Sequence, residues 1–68
     1  MSPIDRRLVQ RIRMEYLEMP GLRLTLDQAS RLWNLDRVIC RRILAELVDE
    51  RFLAEASAGM FLRRDNAA

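Results

Sequence analysis

The 68-residue sequence predicts a mainly α-helical domain with a small β-sheet. Three observations carry that reading. Apolar residues recur at helical spacing in three segments. Two turn signals, Pro20-Gly21 and Asn34-Leu35-Asp36, separate those segments. Two short apolar-rich runs then surround a glycine-containing loop.

Helix one starts near Ser2, as cap, with Pro3 in the first turn. Its stripe is Ile4, Leu8, Ile12, Tyr16 and Met19, widened by Val9, and Pro20 and Gly21 end it. Met14 and Leu17 fall off the stripe, on the side of Arg6, Arg7 and Arg13, and hint at a partner surface. Leu22, Arg23 and Leu24 alternate as a very short strand does. Thr25 with Gln28 three residues on is a capping box, so a second helix runs from Leu26 to Trp33 with Leu26, Ala29 and Trp33 inward. Asn34 tolerates a left-handed turn, Leu35 is the apolar residue within it, and Asp36 caps the third helix. That helix spans about Arg37 to Glu50, with Cys40, Ile43, Leu44, Leu47 and Val48 inward. FLAEA, the SAG turn and MFLRR form a β-hairpin, and residues 65–68 fray. Helix, strand, helix, turn, helix, hairpin is the order of a winged helix-turn-helix: one domain over 1–68, ordered from about 3 to 64, with the first strand joined to the hairpin.

Composition narrows the function. A chain this short buries only about 60% of its unfolded surface, so a partner or a dimer would help it. Half of the residues are hydrophobic, enough for a core and too many for a disordered tail. The net charge is +2, and all 12 basic residues are arginine. That set fits the codon bias of a GC-rich genome, since alanine is also frequent. It also fits bidentate contact with phosphate and guanine. There is one cysteine and no histidine. No internal disulfide is possible, no signal-peptide run follows Met1, and no stretch is membrane-spanning, so the expectation is a cytoplasmic protein. Metal-ligand clusters, phosphate loops and paired acid/base residues are missing from the sequence, so no cofactor, metal or small-molecule substrate is expected and catalysis is not. Cys40 lies in the core stripe as a small hydrophobe rather than a redox sensor. Trp33 and Tyr16 read as core rather than as a stacking platform.

The stretch from Thr25 to Leu47 resembles the helix-turn-helix of small bacterial winged-helix proteins. LTLDQASRLWNLD, Cys40 and the closing LVDERFL are similar to small winged-helix domains of bacterial genomes. The resemblance covers roughly residues 19–64 and is more specific for fold than for function. Ala29 and Ser30 are small where the two helices cross, and Asn34 stands where glycine is commonest. The resemblance implies that helix three is a recognition helix, its N-terminal half in the major groove of double-stranded DNA.

The charges of helix three are reversed. Arginines 37, 41 and 42 lie in its first half and Glu46, Asp49 and Glu50 at its end, against the helix dipole by about 0.3–1 kcal/mol each. DNA docking would select that order. On a helical wheel Val38, Arg41, Arg42 and Ala45 face away from the core. Arg41 and Arg42 would reach bases or phosphates, Val38 and Ala45 thymine methyls, and Arg37 a phosphate. Arg31, Arg63 and Arg64 would extend the footprint, with Arg6 and Arg7 further basic residues. The hairpin tip, residues 56–59, has no cation and departs from a basic wing. The competing reading makes these arginines a solvated face, with Arg42 and Glu46 paired at i,i+4.

Two functions follow. The first is a sequence-specific DNA-binding transcriptional regulator, dimeric through helix one (Met14, Leu17) or the sheet edge, with half-sites about one helical turn apart. The alternative is a winged-helix protein-interaction module. A DNA binder needs Arg37, Arg41 and Arg42 on one surface with Arg63 or Arg64. An interaction module would show an apolar patch including Met14, Leu17 or Phe61.

Overall fold

The computed structural model describes residues 5–66. Within them lie three helices, α1 (Arg6–Glu18), α2 (Leu26–Leu32) and α3 (Arg37–Asp49). Three strands, β1 (Arg23–Thr25), β2 (Leu53–Ala56) and β3 (Met60–Arg63), form one antiparallel sheet in the order β1-β3-β2. The molecule is mostly helical with a small sheet, a layout compatible with a winged helix-turn-helix. The first strand joins the hairpin as expected: Leu24 pairs with Phe61 across β1 and β3.

Each boundary has a local cause. The expected cap Ser2, with Pro3 and Ile4, lies outside the described residues. The described helix starts instead at Arg6, where the Asp5 carboxylate accepts from the Arg7 N–H at 2.9 Å. Thr25 and Gln28 form the full reciprocal box, with Gln28 N–H to Thr25 Oγ1 at 3.2 Å and Thr25 N–H to Gln28 Oε1 at 2.9 Å. Asp36 caps α3 through the N–H groups of Val38 and Ile39, at 2.8 and 3.4 Å.

The last two helices end alike. After α2, Asn34 (φ 51°) is left-handed, Leu35 N–H reaches Ser30 C=O at 2.9 Å, and Asn34 N–H reaches Arg31 C=O at 3.3 Å. After α3, Arg51 (φ 65°) takes the same role, with Phe52 N–H on Leu47 C=O at 3.0 Å and Arg51 N–H on Val48 C=O at 2.9 Å. Both are Schellman closures, and Leu35 and Phe52 pack against the core as the apolar residue such closures carry.

The core is Val9, Ile12 and Tyr16 from α1, Ala29 and Trp33 around α2, Cys40, Ile43, Leu44 and Leu47 from α3, and Leu53 and Phe61 from the sheet. Tyr16 is fully buried and donates its hydroxyl to the Phe61 carbonyl at 2.9 Å, tying α1 to the central strand. Its ring meets that of Trp33 at 6.3 Å, tilted by 58°. Cys40 is buried and free, and burial pushes its thiol pKa up. One expectation fails. Met19 is exposed, because α1 stops at Glu18 and the chain turns away before Met19 can follow the stripe. Residues 65 and 66, expected to fray, are placed in a 3-10 turn, where Asp65 pairs with Arg63 at 3.0 Å and Asn66 Nδ2 donates to the Pro20 carbonyl. Residues 67 and 68 lie outside the description.

Candidate nucleic-acid interface

The turn at Asn34–Asp36 sets α3 beside α2, and the hairpin flanks the other side of α3. Between them opens a groove of about 340 Å3 lined by Asp27 at the start of α2, Arg37 and Arg41 on α3, and Glu55, Gly59 and Phe61 on the hairpin. A smaller recess of about 120 Å3 continues along α3 past Arg41, Ala45 and Asp49.

Outward from this groove, α3 presents the face read from the wheel. Val38 is 66% exposed, and Arg41 and Ala45 are exposed. Arg42 shares that face by its phase, and is half-buried with an interaction of its own. Ile39 is 46% exposed on the first turn, beside Val38. The sequence reading passed over Ile39, whose phase lies next to the buried Ile43 at the border of the stripe and so gives no sign of its exposure. Arg37 is exposed and pairs with Asp27 at 2.7 Å. No local pattern announces that pair, because its members are ten residues apart and meet only through the turn. Both partners are more than half exposed, so the pair is worth at most about 1 kcal/mol and opens cheaply. Arg31 is exposed on the last turn of α2.

Arg63 and Arg64 lie elsewhere. Arg63 pairs in register with Leu53, at the end of the hairpin away from its tip. Its guanidinium lies 5.8 Å from the Phe52 ring centre, and Arg13 of α1 covers the same ring at 5.2 Å. Arg63 Nη2 bonds Asp65, and its buried Nε has no partner among the described residues. Arg64 is exposed and opens the 3-10 turn at this same end. The expected continuous surface from Arg37 to Arg64 is therefore divided, with one arginine group by the hairpin tip and another around Phe52.

The acids at the end of α3 acquire a structural reason. Arg6 Nη1 reaches Glu46 at 2.8 Å, and Arg13 Nη2 reaches Glu50 at 2.6 Å. Cations of α1 thus compensate acids that the dipole of α3 disfavours. Glu46, which the competing solvated-face reading paired with Arg42, meets Arg6. The groove itself is balanced, Arg37 and Arg41 standing against Asp27 and Glu55.

Among the described residues no group of three His, Cys, Asp or Glu side chains could hold a metal ion, and no helix is long and apolar enough to cross a membrane. No protein-family model, curated protein or solved structure matches the chain.

Proposed function

We propose that the chain is a winged helix-turn-helix protein of the cytoplasm that binds double-stranded DNA through α3 and acts as a transcriptional regulator. The observation that carries this reading is the outward face of α3. Val38, Arg41 and Ala45 stand exposed on a helix two of whose acids, Glu46 and Glu50, are drawn aside by α1, while Asp49 stays beside Arg41 and Ala45. A protruding helix bearing a guanidinium between small apolar groups suits the major groove, where arginine takes guanine and small apolar side chains meet the thymine methyl. Arg37, released from Asp27, and Arg31 would take phosphates on either side. Arg63 and Arg64 are left out of the contact set, so the single basic surface expected of a DNA binder is not met and the reading rests on α3 and Arg31 alone. With so few phosphate contacts, binding is modest and salt-sensitive.

The test is fluorescence anisotropy of a labelled random-sequence duplex at low and moderate salt. Wild type binds more tightly at low salt. Arg41→Ala, which keeps the fold because the side chain is exposed, binds roughly tenfold more weakly, the worth of about 1.4 kcal/mol. No binding by wild type at low salt would overturn the proposal. A second reading, a protein-interaction module, is favoured by the charge balance of the groove and by the exposed Leu32, Val38 and Ile39. It predicts that wild type ignores duplex DNA at every salt concentration.

A further inference from the structure

Helix α1 turns one face to solvent. At 3.6 residues per turn Met14 stands opposite the buried Val9, Ile12 and Tyr16, and it is 44% exposed, with Leu17 nearby at 42%. Arg7 and Arg11 share this face toward the N-terminal end, and Glu15 and Glu18 toward the C-terminal end. No described residue partners any of these four side chains, whereas Arg6 and Arg13, at the edge of the helix toward α3, are already engaged. The order runs against the helix dipole: α1 has no acid in its first turn and no base in its last. Within one copy these charges have no described compensation.

A second copy laid antiparallel compensates the outermost pair, Arg7 and Glu18, and sets the inner Arg11 and Glu15 against uncharged side chains. We propose that α1 is the seam of a two-fold dimer in which it packs against α1 of a second copy. With the two-fold axis between residues 12 and 13, Arg7 lies against the partner's Glu18. Gln10 then lies against the partner's Glu15, and Met14 over the aliphatic stem of the partner's Arg11. Symmetry repeats each contact, and each basic end meets the negative end of the other helix dipole. The pattern is self-complementary only in this orientation, since a parallel pair would set arginine against arginine. A 13-residue helix is about 20 Å long, so the seam is narrow and the dimer is of the weak class. The inference does not depend on DNA binding, and its test uses no DNA.

Sedimentation equilibrium from about 10 µM to about 1 mM is run on wild type, Arg7→Glu, Glu18→Arg and an equimolar mixture of the two variants, with circular dichroism confirming that each keeps its helices. Wild type forms a dimer that weakens as salt rises. Each variant alone stays monomeric, because like charges then face each other twice. The mixture regains the dimer, because every reversed side chain meets an opposite one. Met14→Gln, which alters no charge, also weakens association. Wild type that remains monomeric throughout overturns the proposal. So does a single variant that dimerises as wild type does, which would move the seam elsewhere, such as the outer edge of β2. A mixture that stays monomeric overturns it as well.

Discussion

Between neutral pH and about pH 12 only two side chains of this protein titrate, because there is no lysine or histidine and arginine stays charged. They are Cys40 and Tyr16, and both are fully buried. Burial raises the pKa of each, and a charged Cys40 would raise that of Tyr16 further. Each group therefore keeps its proton in the fold at a pH where the unfolded chain has released it. Their stabilising contribution is complete below the unfolded values, about 8.5 for the thiol and 10 for the phenol, and fades as pH climbs toward the folded ones. A proton retained at Tyr16 tilts stability downward by about 1.4 kcal/mol per pH unit above the unfolded phenol value, and the raised thiol of Cys40 adds a loss of the same sign that begins lower. A chain of this length has a stability of roughly 3–10 kcal/mol, so the loss is a sizeable share of it by about pH 12. Tyr16→Phe separates the two groups. At neutral pH it removes the 2.9 Å bond to the Phe61 carbonyl and costs about 1–2 kcal/mol, or roughly 4–15 °C in Tm. Above pH 10 it removes the tyrosine's share of the slope, so the two stability curves cross near pH 11 and the variant is the more stable beyond that. Urea unfolding by circular dichroism from pH 7 to 11.5, beside tyrosinate absorbance at 295 nm, measures both. Curves that stay parallel, or a tyrosinate signal rising near pH 10 while the helices persist, would refute the buried, hydrogen-bonded Tyr16.

Thr25→Ala removes one half of the capping box and lowers stability by about 1 kcal/mol in urea melts. Arg51→Gly relieves a left-handed, non-glycine residue whose exposed side chain has no partner among the described residues, and raises stability by about 0.5–1 kcal/mol. Ala29→Leu places three more carbons where α2 crosses α3 at a fully buried site, and costs about 1–3 kcal/mol by thermal melting. Stability measured from pH 5.5 to 7.5 stays level, since no histidine titrates there.

The fold was legible where it rests on local rules. The box at Thr25–Gln28, the left-handed Asn34 and the cap at Asp36 each depend on residues within four positions of one another. The inward stripe of α3 follows from its period alone. What escaped depends on distance along the chain. Arg37 meets Asp27, Glu46 meets Arg6, and Phe52 collects two guanidiniums from α1 and β3, and nothing in the sequence pairs them. The closure at Arg51 was missed because arginine is not a residue that signals a left-handed turn. The acids ending α3 were read as a response to DNA or, for Glu46, as a partner of Arg42, yet Glu46 and Glu50 meet α1, and the DNA reading now rests on the exposed Arg37 and Arg41 of its first half.

Those arginines set the measurement that matters most. A domain of this size gives an assignable amide spectrum, and titration with an unlabelled duplex shows which amides move. The account predicts shifts along the outward face of α3, at Val38, Arg41 and Ala45, and on α2 near Arg31, with α1 around Met14 undisturbed. A spectrum unchanged by DNA at low salt, or shifts confined to α1 and the Phe52 end of the hairpin, would contradict it.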